Sequence, residues 1–202
     1  MKLLHIDSSI LGDNSVSRAI SAAVVARMQA LQGEQLEVTT RDLAAHLIPH
    51  LTGAYLAGKS AEVKHDQALQ DDLDLGGSAL VEFQAADIVA IGAPLYNFTI
   101  PSQLKTWVDR IVVAGQTFRY TETGPVGLAG GKRVVLALSR GGFYGPGTPI
   151  AAYEHGESYL KVVFGFLGVT NLRALIAEGV ATGPEQRKKA LDAALAVAAG
   201  LD

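Results

Sequence analysis

Cysteine is absent from all 202 residues, which excludes disulfides, thiolate metal sites and cysteine nucleophiles. The cysteine-dependent phosphatases, which also cradle phosphate between a strand and a helix, go with them. No stretch approaches the roughly 20 consecutive apolar residues that span a bilayer. Lys2 leads at once into a short strand ending at Asp7 rather than into the apolar core of a signal peptide, so a cytoplasmic protein with no membrane partner is expected. The net charge is -3 and no cluster of five or more Lys and Arg occurs, which leaves no electrostatic footprint for nucleic acid. The histidines, at positions 5, 46, 50, 65 and 155, are read as forming no ligand set, so no metal is expected. His5 alternates within a strand and reads as a core residue with a polar partner. Neither a G-x-G-x-x-G fingerprint nor a P-loop lysine is present, which argues against ATP and tightly bound dinucleotides.

What is present is a regular alternation of strand and helix. Nearly half of the residues are apolar (49%), and the length suits one domain, residues 1–202, with a sheet buried on both faces. Short apolar runs predict strands at Leu3 to Ile6, Leu36 to Thr40, Asp87 to Gly92, Arg133 to Leu138 and Asn171 to Ala177. Between them, apolar residues recur at helical spacing: Ile20, Val24, Met28 and Leu31; Leu104, Trp107, Val108 and Ile111; Leu160, Val163, Phe164 and Leu167; Leu191, Ala194, Leu195 and Ala198. Thr182 and Glu185 read as a capping box for the last helix. Repeated strand-helix units force parallel pairing through right-handed crossovers, so the fold class is α/β with five parallel strands in flavodoxin-like winding. Residues 41–86 exceed a simple crossover, and the excess is expected to pack as an extra helix, with His50 to Lys59 and Asp66 to Phe83 both helix-compatible.

Ligands of such sheets bind beyond the carboxyl ends of the strands, where three loops stand out. The first, Asp7 to Ser17, carries Ser8, Ser9, Asn14, Ser15 and Ser17 into a helix amino terminus, where unpaired N–H groups and the helix dipole favour an anion. A phosphate monoester fits it, although Ser15 as a plain helix cap is an equal alternative. The second, Pro94 to Thr99, offers main-chain amides, Asn97 and the rings of Tyr96 and Phe98. The third reads Ser139, Arg140, Gly141, Gly142, and its glycines let backbone approach a flat ligand. Together they describe a platform for a flavin whose phosphate sits on hydroxyls and amides. Arg140 could donate into the site or pair with carboxylates at the surface. Phe118, Tyr120, Phe143 and Tyr144 are read as flanking the same strand ends, as walls for a flat substrate.

These segments resemble the FMN-dependent NADH-azoreductases, also known as FMN-dependent NADH:quinone oxidoreductases. The likeness is carried by Ser9, Ser15-Val16-Ser17, Leu95-Tyr96-Asn97-Phe98 and Ser139-Arg140-Gly141-Gly142. Further matches are Phe118-Arg119-Tyr120-Thr121-Glu122, Gly124-Pro125-Val126-Gly127-Leu128 and Phe164-Gly165-Phe166-Leu167-Gly168. The resemblance implies a homodimer with one FMN per subunit that uses NADH to reduce quinones and azo compounds in alternating half-reactions. Ser9 and Ser15 to Ser17 would hold the phosphate, Leu95 to Phe98 one edge of the ring system and Ser139 to Gly142 its other side. Phe118, Tyr120 and Phe164 would touch substrate, Phe164 from the neighbouring subunit. No catalytic acid is required, because the cofactor carries the redox chemistry. Leu95 stands where the family has Met, a swap of similar volume that bears on cavity shape. A flavodoxin-type electron carrier without a substrate pocket is the alternative.

Overall fold

The computed structural model describes residues 1–60 and 62–202. In chain order its elements are β1 (Lys2–Asp7), α1 (Val16–Gln32), β2 (Glu37–Asp42), α2 (Gly53–Gly58), α3 (Gln67–Ala85), β3 (Ile88–Pro94), α4 (Ser102–Ile111), β4 (Phe118–Thr121), β5 (Gly124–Gly127), β6 (Arg133–Arg140), α5 (Glu157–Phe166), β7 (Asn171–Glu178) and α6 (Pro184–Ala199). Five of the strands form one parallel sheet in the order β2-β1-β3-β6-β7. Every residue of β3 is buried, as expected for a strand covered by helices on both faces. This is flavodoxin-like winding, and each sheet strand lies where the apolar runs predict it, within one or two residues at its ends.

Two apolar layers sandwich the sheet. On one face α3, α4 and α5 contribute Phe83, Leu104, Trp107, Leu160 and Phe164; on the other α1 and α6 contribute Ile20, Val24, Met28, Ala194 and Ala198. The helix after β1 therefore packs on one face and the helix after β3 on the other. Between those neighbouring strands the winding reverses, and their loops diverge to leave a crevice.

The long crossover does hold an extra helix, α2. Arg110 of α4, fully buried, ties it down: its guanidinium stacks 3.7 Å over the Tyr55 ring and donates to Asp72 and to the Pro49 carbonyl, both at 2.8 Å. Tyr55 lies so close to Gly76 of α3 that any Cβ there would collide with its ring.

Two features depart from the sequence reading. The capping box is not formed: α6 starts at Pro184 with Gly183 as its cap, while the Thr182 hydroxyl donates back to the Gly179 carbonyl at 2.8 Å. Proline at the first helical position, with φ already set and no N–H to satisfy, begins the helix without a hydroxyl cap. The antiparallel hairpin β4-β5 has no counterpart among the sequence-predicted strands. It lies near the amino ends of β3 and β6, where Thr117, Leu128 and Lys132 share a depression with Ala86 and Asp87. Its Gly127 packs on the main chain of Leu167 and Gly168 so tightly that a Cβ would clash. Among the described residues no helix is long and apolar enough to cross a membrane.

Candidate functional site

The loop from β1 to α1, the cradle expected for an anion, gathers its serines at a helix amino terminus. Ser9, Ser15 and Ser17 are buried within it. Ser15 caps α1, its hydroxyl accepting the Arg18 N–H at 3.3 Å while lying 3.1 Å from the Ser17 hydroxyl. The amides of Val16 and Ser17, in the first turn, have no acceptor within the helix. The helix-cap reading of Ser15 is therefore met, and the cap leaves those two amides open. Ser9 accepts from the Leu11 amide at 3.3 Å and shares a 3.2 Å hydrogen bond with the Tyr96 hydroxyl, which joins this loop to the next.

Beneath the cradle lies a charged network that sequence reasoning missed. Arg18 donates to the Ser9 carbonyl at 3.1 and 2.8 Å and forks onto Asp42 at 2.7 and 2.8 Å. That pairing, with the Ala44 and Ala45 amides, overrides burial and lowers the Asp42 carboxyl to about 2. Asp7 lies 3.7 Å from Arg18, accepts from Ser21 at 2.8 Å and faces His5 at 3.4 Å; His5 in turn bonds Ser21 at 3.0 Å, the polar partner expected of it.

Across the crevice, the loop after β3 makes a tight turn. Tyr96 and Thr99 exchange two main-chain hydrogen bonds, 2.9 and 3.1 Å, around Asn97 at φ 47° and Phe98 at φ 73°. Two successive left-handed residues are normally the province of Asn-Gly pairs, and a phenylalanine there carries strain of roughly 1–2 kcal/mol. The neighbouring segment compensates: Tyr153 and Tyr144 meet the Phe98 ring edge-on at 5.5 and 6.5 Å, and the His155 N–H donates to the Phe98 carbonyl at 2.8 Å. Ile10, Tyr96, Asn97, Ile100, Gln103 and Tyr159 line a largely apolar groove of about 540 Å³ here.

The third loop is adjacent, with the Leu95 amide donating to the Ser139 carbonyl at 2.8 Å. Arg140 corrects one sequence reading and moves the other, pairing with carboxylates, from the surface to the interior. Its side chain is 4% exposed and bound by Glu157 at 2.5 Å, Glu178 at 2.8 Å and Glu154 at 3.5 Å, so it neither donates into the groove nor pairs at the surface. The carbonyls of Gly141 and Gly142 accept from Ala181 and Gly179, and a Cβ on Gly142 would press on the Tyr144 ring at 3.3 Å. A larger cavity, about 770 Å³, lies beyond Arg140 between α5 and α6. Its buried Arg140 is already paired, whereas the groove at the crevice contains Tyr96, whose hydroxyl bonds Ser9 of the cradle, so that groove is the better candidate.

The expected substrate contacts are not in the groove. Phe164 is fully buried in the core, 6.3 Å from Phe83, and reaches neither the groove nor the surface of the chain. Phe118 is buried as well, packed on Phe166 at 4.6 Å and Tyr120 at 5.3 Å. Tyr120 is 75% exposed, but the hairpin carries it at the sheet end opposite the three loops of its own chain. His46 and His50 do stand four apart, across Pro49 in a non-helical stretch; among the described residues no three His, Cys, Asp or Glu side chains gather as metal ligands. Missed contributors are Arg18, Asp42, Tyr153, His155 and Tyr159. The available signals were an Asp ending the second strand and an Arg directly after the serine triplet.

Comparison with known proteins agrees over the full length. The family model described as "Flavodoxin-like fold" matches residues 1–200. The FMN-dependent NADH:quinone oxidoreductase of Methylorubrum populi is 58% identical over 201 residues, covering 100% of this chain and 98% of that protein. FMN-dependent NADH:quinone oxidoreductase 2 of Bradyrhizobium diazoefficiens is 53% identical over 100% of this chain and 98% of its own. Among solved structures, an FMN-dependent NADH-azoreductase from Bacillus anthracis in complex with FMN superposes with a TM-score of 0.87 at 28% identity, covering 98% of this chain and 97% of that one.

Proposed function

The chain belongs to the FMN-dependent NADH:quinone oxidoreductases of flavodoxin-like fold, and from that premise we propose how its own residues serve the reaction. The cofactor is FMN and the donor NADH. The residues present fit that group: a phosphate monoester needs several donors at one point, and Ser9, Ser15, Ser17 and the free first-turn amides supply them without a net positive charge. When bound, FMN supplies two-electron redox chemistry between nicotinamide and quinone. The amides of the Tyr96–Thr99 turn would meet the ring edge, and the start of α4 favours negative charge there. The main chain of Ser139, Gly141 and Gly142 would flank the other side. Ile10, Ile100 and Tyr159 exclude water from the groove and present apolar surface to a flat acceptor.

Several finer statements belong to this reading. Residues 1–202 act as one FMN-binding domain. Nicotinamide and acceptor occupy the same groove in turn, giving ping-pong kinetics, and azo compounds are cleaved to amines by the same route. The protein works as a homodimer, in which the exposed Tyr120 of one copy covers the groove of the other. What supports this is that Tyr120 is exposed and does not line the groove of its own chain, and that Val162 on α5 is also an exposed apolar side chain.

The single observation that carries the reading is the crevice itself: serine hydroxyls and unpaired amides at the end of β1, joined through Ser9 and Tyr96 to a strained aromatic turn at the end of β3. Purified protein should be yellow, bleach with NADH and recover its colour with menadione or methyl red. Bleaching that no quinone reverses would refute the oxidoreductase reading in favour of a carrier. Tyr120→Ala, in a protein that sedimentation finds dimeric, should raise KM for the quinone while leaving FMN content intact.

A further inference from the structure

We infer that Arg18 is a positioning residue for the phosphate end of the cofactor, acting through the shape of the cradle and not through its charge. The inference rests on the FMN reading and adds to it a residue outside the serine and amide set. Four hydrogen bonds define its role: two to the Ser9 carbonyl and two to Asp42. The Ser9 carbonyl belongs to the residue whose hydroxyl links the cradle to Tyr96. Arg18 thus fixes both ends of the loop at once, since its own main-chain N–H is the one Ser15 caps. Asp42 anchors the other side of the fork to the end of β2, where it also accepts from the Ala44 and Ala45 amides at 2.9 and 3.1 Å.

The electrostatics decide between two roles. An arginine one residue past a phosphate cradle would ordinarily be read as the cation that neutralises the anion. Here Asp42 engages it bidentately and Asp7 stands 3.7 Å away, so the immediate group carries no excess positive charge. Its planar fork, with five donors in fixed directions, is instead spent on a carbonyl and a carboxylate, a geometry that a lysine cannot reproduce. The loop is thereby held in one conformation before the cofactor arrives, which removes an ordering cost from binding.

The two roles predict opposite results for Asp42→Asn. If Arg18 acts by charge, removing its counter-ion leaves a free cation beside the phosphate and FMN binds more tightly. If it acts by position, the fork loses its anchor and FMN binds more weakly. Flavin-stripped wild type, Arg18→Lys and Asp42→Asn would be titrated with FMN and with riboflavin, which lacks the phosphate, following quenching of flavin fluorescence. Position predicts that both variants lose FMN affinity by about 10- to 100-fold, the range known for outer-shell partners of bound metals, while riboflavin affinity stays within about threefold of wild type. That unchanged riboflavin binding also reports a folded site. FMN binding by Asp42→Asn at or above wild-type strength, or wild-type FMN binding by Arg18→Lys, overturns the inference alone. Should Asp42→Asn fail to fold, the Arg18→Lys result decides by itself. Wild-type protein that binds neither flavin overturns the cofactor reading, and this inference with it.

Discussion

Glycine usually destabilises a folded chain relative to alanine, and at position 98 the order should reverse. Phe98 sits at φ 73°, where any Cβ costs roughly 1–2 kcal/mol. Truncation to Ala keeps that strain and forfeits the edge-on contacts to Tyr153 and Tyr144, at 5.5 and 6.5 Å. Such pairs contribute about 0.5–1.5 kcal/mol each, and the low end applies because the ring is half exposed. Phe98→Ala should therefore lose about 1–2 kcal/mol. Phe98→Gly forfeits the same rings but sheds the strain, against roughly 0.5–1 kcal/mol of added chain entropy in the unfolded state. The glycine variant should be the more stable of the two by about 0.5–1 kcal/mol, or roughly 1–4 °C in Tm for a chain of this size. Differential scanning calorimetry on flavin-stripped proteins reads this directly. An alanine variant that melts at or above the glycine variant would mean that the turn is unstrained.

Other consequences can be measured in the same preparations. Arg140→Met leaves Glu154 and Glu178 without their cation and Glu157 with Lys161 alone, and should cost about 3–5 kcal/mol of stability, visible in urea unfolding, with a smaller loss of FMN affinity than Arg18→Lys causes. Phe164→Ala should likewise cost about 3–5 kcal/mol by opening a core cavity, while KM for the quinone stays unchanged; a KM effect in folded protein would restore it as a substrate contact. Because the folded Asp42 carboxyl lies near 2, below its usual 3.8, its contribution of about 2 kcal/mol is complete above about pH 4 and fades as pH falls toward 2. Urea curves for wild type and Asp42→Asn should differ at pH 6 and draw together at the acid end of that window.

β1, β3 and β6 were legible because their apolar runs are continuous and buried on both faces, and the half-exposed edge strands β2 and β7 because the alternation of strand and helix calls for a strand there. The three loops were legible because strand ends are where such sheets bind ligands. The β4-β5 hairpin was not, since its strands have four residues each, Arg119, Tyr120 and Thr121 are exposed, and no apolar run marks them. Phe164 was misassigned through a resemblance that fixes chain position but not which way a ring points; its helical spacing with Leu160 and Leu167 marked it as core. Arg18 and Asp42 escaped notice because they meet only when β1 and β2 pair in register, with Asp7 beside Asp42. Long-range ion pairs of this kind have no local signature. Arg140 was half legible: pairing with carboxylates was one of its two readings, but its burial was not foreseen.

The hairpin's remoteness from the serine loop of its own chain has a genetic corollary. In the proposed pair, each pocket borrows its roof from one polypeptide and its floor from the other. A copy defective at Tyr120 and a copy defective at Ser17 would then rescue one another, since their heterodimer assembles one pocket with both lesions and one with neither. Co-expression of two individually crippled alleles should recover activity that neither yields alone.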